Sequence, residues 1–247
     1  MLQELREALY RAVRQVAPEK NLAVAFSGGI DSSLLARISA DLGKQVTLVT
    51  VGFPGSHDVG FSKKIAAGLG LSHKIVELDV HGFEQDLERV RKAITCNNTS
   101  HVENCVAYLC IARAAKGAGI RVVLSANGCD ELFCGYNGFR AIYDAGEQAI
   151  MKFMEDKILN ELALVKEIST VAQKYDVLVR QPFLSPTFIE YVRTIPLDQK
   201  IKGADDMVRK HILRKVALEI GVPEESAMKP KKALQYGSSI HKNFKKV

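Results

Sequence analysis

Ser27-Gly28-Gly29-Ile30-Asp31-Ser32-Ser33 has the most obvious chemistry in this chain, because it stands where an apolar run, Asn21 to Phe26, passes into helical spacing. Two glycines let the backbone approach a ligand closely, and the amides at a helix start attract an anion. Ser32 and Ser33 add hydroxyl donors. Asp31 would repel a phosphate unless a divalent cation lay between them. Mg²⁺ answers that need, since it takes one or two carboxylates together with phosphate oxygens. The plainer alternative is a turn followed by a helix-capping cluster. No GK[ST] follows, and GxGxxG is absent, so neither a Walker A loop nor a dinucleotide fingerprint fits. A second acid pair, Asp130-Glu131, lies in LSANGCDELFCGYNGF, residues 124–139, after another apolar run from Arg121 to Ser125.

Positioning these residues requires a scaffold. Leu2, Leu5, Leu9, Val13 and Val16 recur at helical spacing over residues 2–16. Strands are predicted over Asn21–Phe26, Gln45–Val51, His73–Leu78 and Arg121–Ser125. Helices are predicted over Asp31–Leu42, Asp58–Leu69, Phe83–Ile94 and Val102–Lys116. Strands alternating with helices of about ten or more residues imply an α/β fold with a doubly wound, mostly parallel sheet. Ligands bind such sheets beyond the carboxyl ends of the strands, which places residues 27–33 and 125–131 near one another. From about residue 137 the β signal stops; the remainder reads as helices, with a Pro-punctuated loop at Gln181–Pro186 and a helix from Asp206 to Ile220. The expected organisation is an N-terminal helix in 1–20, an α/β core in 21–136, and a helical part in 137–247 that packs on the same domain and completes the site.

Composition narrows the class. The chain has 247 residues, 47% hydrophobic and 25% charged, which is ordinary for a globular protein and argues against disorder. No stretch reaches the roughly 20 uncharged apolar residues that span a bilayer, and the charged N-terminus is not a secretory signal. Five cysteines without regular short spacing do not form a disulfide framework, so a cytoplasmic location is expected. The net charge of +6 is concentrated in residues 200–247, which hold 12 Lys and Arg against 5 Asp and Glu. That excess suits a polyanion, either a bound polyphosphate or nucleic acid, or else a solvated tail.

SGGIDSS resembles the PP-loop of the ATP pyrophosphatases, which cut ATP between the α and β phosphates. Three further segments narrow the resemblance: the loop at 124–139, LVRQPFLSP at 178–186, and MKPKKALQYG at 228–237 after a helix containing Lys210-His211-Ile212-Leu213-Arg214. Together they resemble the synthetase domain of the asparagine synthetase family over about residues 20–240. The resemblance implies an adenine nucleotide α-hydrolase-like fold and an AMP- and pyrophosphate-forming amide synthetase that uses ATP and Mg²⁺. It implies that Ser27, Gly28, Gly29, Asp31, Ser32 and Ser33 bind pyrophosphate. Asp31 and Asp130 match the Mg²⁺-associated aspartates. Val51, Gly52, Ser125 and Ala126 flank adenosine. The same resemblance implies that Lys231, with Asp130, acts in catalysis, the lysine offsetting charge on the departing pyrophosphate.

Departures from the family pattern bear on the acceptor. The PP-loop arrives at residue 27 and residue 2 is Leu, so no glutaminase domain is expected, and ammonia would come from solution or from a separate glutaminase subunit. Asn127 stands where the family commonly has an acid, and Asn cannot serve as a general base. Ser185 replaces the usual Asp after the RxPFL segment. Both changes are expected around the acceptor pocket, which takes a small-molecule carboxylate. Cys96, Cys105, Cys110, Cys129 and Cys134 read as small hydrophobes, and His57, His73, His101 and His211 show no metal spacing. The alternatives are a PP-loop enzyme of the tRNA-thiolating type, which adenylates a base, and a nucleotide-binding regulator. No membrane partner is expected, nucleic acid is the less favoured one, and a homo-oligomer is compatible with the sequence.

Overall fold

The computed structural model describes residues 1–96, 98–229 and 234–245. Helix α1 (Leu2–Val16) precedes β1 (Asn21–Ala25). The chain then alternates through α2 (Ile30–Asp41), β2 (Gln45–Gly52), α3 (His57–Leu69), β3 (Ser72–Glu77), α4 (Val80–Ala93), α5 (Thr99–Gly117) and β4 (Val122–Leu124). Short helices α6 (Cys129–Leu132) and α7 (Asn137–Ala141) lead to the long α8 (Glu147–Gln173), followed by β5 (Leu178–Arg180) and α9 (Pro186–Arg193). Helices α10 (His211–Glu219), α11 (Glu224–Ala227), α12 (Leu234–Gly237) and α13 (Ile240–Phe244) complete the described chain. No helix among the described residues is long and apolar enough to cross a membrane.

All five strands pair in parallel, in the order β3-β2-β1-β4-β5. Alternate strand residues serve opposite faces, and both faces are apolar because both are covered. Leu22, Val24 and Leu48 pack with Leu5, Leu9, Leu34 and Ile38 on one side. Ala23, Val49, Val51 and Val123 pack with Phe83, Leu87, Val106 and Ile168 on the other. The chain leaves β1 towards β2 and β3, then returns to β1's other side with β4 and β5. The gap between β1 and β4 is therefore the topological switch point, where doubly wound sheets bind ligands.

Two expectations for the C-terminal part require correction. The β signal does not end near residue 137: β5 lies at Leu178–Arg180 and pairs with β4, Val123 opposite Val179. Three residues between Asp176, which has a positive φ, and Pro182 are too few for periodicity to register. Leu178 is half exposed, as suits a short edge strand. The helix expected from Asp206 begins instead at His211. Arg209 and Lys210 both adopt left-handed φ (48° and 55°), which a helix cannot accommodate. Asp206 holds this turn by accepting from the amides of Lys202 (2.9 Å), Val208 (3.0 Å) and Arg209 (3.0 Å). Its partial burial favours the protonated form, but those amides and His211 outweigh it and hold the carboxyl down at about 2.

Candidate active site

The first loop folds on itself where β1 enters α2. Gly28 takes φ +77°, and a Cβ there would sit 2.9 Å from the Phe61 ring and 3.2 Å from Ser62 Cα, so only glycine fits. Ser27 Oγ accepts from the Gly29 amide (3.3 Å), and Ser32 Oγ accepts from the Ser27 amide (3.3 Å) and donates to the Gly29 carbonyl (3.2 Å). No side chain caps α2, whose first-turn amides have no intrahelical partner. A helix start of that kind, ringed by hydroxyls, can take an anion. Ser33 is different: it is fully buried, and its Oγ lies 2.9 Å from Ser226 Oγ, which donates to the Gly28 carbonyl at 2.7 Å. This ties α11 to the loop.

Asp31, on the first turn of α2, meets Asp130 of α6 across the switch point. Both carboxylates converge on the buried Lys210 ammonium, which donates to Asp31 Oδ1 and Oδ2 (2.7 and 2.6 Å) and pairs with Asp130 Oδ1 at 2.7 Å. Burial by itself would lower the Lys210 pKa, but Asp130 and Asp31 more than compensate and hold it above its ordinary range. The left-handed backbone at Arg209-Lys210 is strained by about 1–3 kcal/mol per residue, a cost that recurs where geometry serves a site. Gly135 passes so close to this cluster that a Cβ would collide with Asp130 and Lys210. Lys210 was legible only as part of the K-x-x-LR helix. Two carboxylates from different strand ends meeting at one cation form a hard-oxygen donor set that suits Mg²⁺.

Beside this cluster lies a cavity of about 290 Å³. Ser27, Asp31, Ser32, Val51, Ser125, Ala126 and Asp130 line it, so seven of the expected site residues share one space. Gly28, Gly29, Ser33 and Gly52 support it without lining it. A Cβ at Gly52 would meet Ser56 Oγ at 2.7 Å and Ser238 Cα at 3.3 Å, so its bareness serves the approach of the C-terminal segment. Lys231 lies outside the described residues.

The second loop is held by side chains from distant helices. Tyr108 of α5 hydrogen-bonds Ser125 Oγ and donates to Asn127 Oδ1 (2.8 Å), and Ser125 Oγ also bonds Asn127 Oδ1. Asn127 Nδ2 in turn donates to Glu161 Oε1 of α8. Glu131 accepts from the Gly128 amide (3.1 Å) and from Tyr136 Oη, so its oxygens brace the loop although it lines the cavity. Burial, with Glu161 and Asp130 nearby, pushes Glu131 up to about 8, and burial pushes Tyr108 and Tyr136 well above the usual phenol range. Glu161, Lys157, Asn160 and Tyr108 also line the cavity, and no motif marked them. Ser185 does not: it stands at the N-cap of α9. Phe183 and Leu184 instead pack beneath Gly128, where a Cβ would meet Leu184 at 2.9 Å.

Four cysteines, Cys105, Cys110, Cys129 and Cys134, are fully buried, and burial pushes every thiol up, Cys105 and Cys134 to about 12. They behave as small hydrophobes. Cys96 is half-buried and stands apart, with its sulfur 3.7 Å from Nδ1 of His101. His101 is neither on the surface nor isolated; it is buried against Glu167.

Comparison with known proteins agrees with this geometry. Residues 4–170 and 144–246 match the family described as Asparagine synthase. The putative asparagine synthetase 1 of Methanocaldococcus jannaschii is 28% identical over 281 residues, covering 99% of this chain and 52% of that protein. The glutamine-hydrolysing asparagine synthetase B of Escherichia coli K12 is 30% identical over 257 residues, covering 95% and 44%. The chain spans about half the length of the curated relatives it matches. Among solved structures, an NMN synthetase from Francisella tularensis superposes with a TM-score of 0.55 at 12% identity, covering 96% of this chain and 77% of that one, a likeness of fold. Family match, relatives and parallel sheet agree: the chain belongs to the asparagine synthase family.

Proposed function

We propose that this domain activates a small-molecule carboxylate with ATP and passes the acyl group to ammonia or another amine, releasing AMP and pyrophosphate. The observation that carries the reading is the meeting of Asp31, Asp130 and Lys210 beside the SGGIDSS loop at the switch point. In the first step a carboxylate oxygen bonds to the α-phosphorus as the bond to the β-phosphate oxygen breaks. In the second the amine attacks the acyl carbon, loses a proton and expels AMP.

Ser27, Gly28, Gly29 and Ser32 are proposed to hold the pyrophosphate through amides and hydroxyls, with Val51, Ser125 and Ala126 beside the adenosine. Ser33 and Gly52 are proposed to support that surface. Asp31 and Asp130 would hold Mg²⁺, which when bound screens phosphate charge. Lys210, buried and held in its charged form by Asp130 and Asp31, stabilises charge gathering on the leaving pyrophosphate. Lys231 is proposed for the same task on the family resemblance alone. Glu161 supplies what Asn127 lacks: a carboxylate in the cavity, oriented by the Asn127 amide, that can take the amine's proton. The relatives named above are glutamine-hydrolysing, and we propose that a glutaminase likewise furnishes the ammonia here.

Chromatography of the nucleotide products, with Mg²⁺, ammonium and a panel of carboxylates, tests the reading. AMP and pyrophosphate formed only with a carboxylate support it. ADP as the sole nucleotide product overturns it.

A further inference from the structure

At the wall of the cavity, which His101 itself lines, three elements bring a thiol, an imidazole and a carboxylate together. Cys96 lies in the segment between α4 and α5, His101 on the first turn of α5, and Glu167 on α8. One ligand atom from each lies within 4.8 Å of the other two. Glu167 Oε2 is 3.0 Å from His101 Nδ1, and Cys96 Sγ is 3.7 Å from the same nitrogen. The other ring nitrogen, Nε2, faces Asn160 Oδ1 at 3.3 Å. A neutral imidazole has one N–H and one lone pair. With Nε2–H donating to Asn160, the Nδ1 lone pair faces a carboxylate oxygen and a sulfur, three electron-pair donors turned on one point.

We propose that Cys96, His101 and Glu167 bind a Zn²⁺ ion. Bond lengths of about 2.0 Å to N and O and about 2.3 Å to S would turn the observed separations into angles of about 100° and 120° at a shared metal, on either side of tetrahedral. Thiolate with imidazole selects zinc over the hard cations that suit Asp31 and Asp130. The surroundings are those of a metal ligand set: Nε2–H to a carbonyl-type oxygen fixes the tautomer, and the Asn98 amide donates to Cys96 Sγ at 3.3 Å. Asn98 is itself locked, accepting from the amides of Ser100 and His101 as the cap of α5. Three protein ligands leave a fourth position for water. Zinc here would fasten the α4–α5 segment to α8, the helix that carries Asn160 and Glu161 into the cavity.

The test uses untagged full-length protein, stripped with chelator and titrated with Co²⁺. One equivalent should bind with a thiolate-to-cobalt charge-transfer band, displaced by one equivalent of Zn²⁺ and untouched by excess Mg²⁺. Cys96→Ser should abolish the band. Glu167→Gln, at a partly exposed carboxylate that should not threaten folding, should weaken Zn²⁺ binding at least about tenfold, and Asn160→Ala about 10- to 100-fold. Zn²⁺ should raise the Tm of the wild type and not of Cys96→Ser. A band that survives Cys96→Ser, or no thiolate band in folded protein, would overturn the site and leave a plain His101–Glu167 hydrogen bond.

Discussion

The two loops that flank the switch point are built in opposite ways. Residues 27–33 are held in large part from within, through Ser27, Ser32 and the backbone of Gly29, with Ser226 of α11 and Lys210 as their partners from outside. Residues 125–131 depend on Tyr108 from α5, Glu161 from α8 and Leu184 from the segment before α9. A loop held largely by its own residues depends less on the far side of the cavity. A loop braced by distant helices changes when any of them changes.

Lys210 is where the two loops meet, so its removal should have the largest effect. Lys210→Met would leave two carboxylates facing each other in a buried site, a loss of about 3–5 kcal/mol in stability together with activity. Urea denaturation measures the first; a loss under about 1 kcal/mol would mean the pair contributes no more than a surface ion pair. Next come Asp31→Asn and Asp130→Asn, each expected to lower kcat about 100- to 1000-fold while circular dichroism stays native. Near-wild-type turnover at low Mg²⁺ in either variant would remove that residue from the nucleotide site.

Glu161→Gln distinguishes the acceptor side from the nucleotide side. Amide formation should drop about 100-fold while pyrophosphate–ATP exchange persists. Parallel loss of both would place Glu161 in adenylation instead. The smallest effect is a pH dependence. Glu131 is raised from the ordinary carboxyl range to about 8 by burial, with Glu161 and Asp130 adding to it, so the folded state binds its proton more tightly than the unfolded state. Its contribution to stability is therefore full below the unfolded pKa and is lost as pH rises towards about 8. Glu131→Gln should flatten the fall in Tm between about pH 5 and 8; an unchanged slope would assign the fall to other groups.

Much of this architecture could be read from residue order. The parallel sheet and its helices follow from apolar runs punctuated by glycine, and SGGIDSS announces an anion loop because each member acts on a neighbour. Helix α10 and strand β5 were misjudged where local pattern is silent. Lys210 breaks the expected helix through a backbone conformation its sequence does not encode, and β5 exists because β4 offers an edge.

Spacing also failed to expose Glu161, Tyr108 and the Cys96–His101–Glu167 cluster. Glu161 lies 34 residues from Asn127 and Glu167 lies 66 from His101, and the intervening helices carry no signature beyond their apolar faces. What the sequence determined alone is the fold class and the tight SGGIDSS turn between β1 and α2, because periodicity and glycine act over a few residues. Which carboxylate stands at the far side of the cavity, and which cation sits between Asp31 and Asp130, only tertiary packing decided, because both depend on helices brought together by burying apolar surface, a force with no memory of distance along the chain.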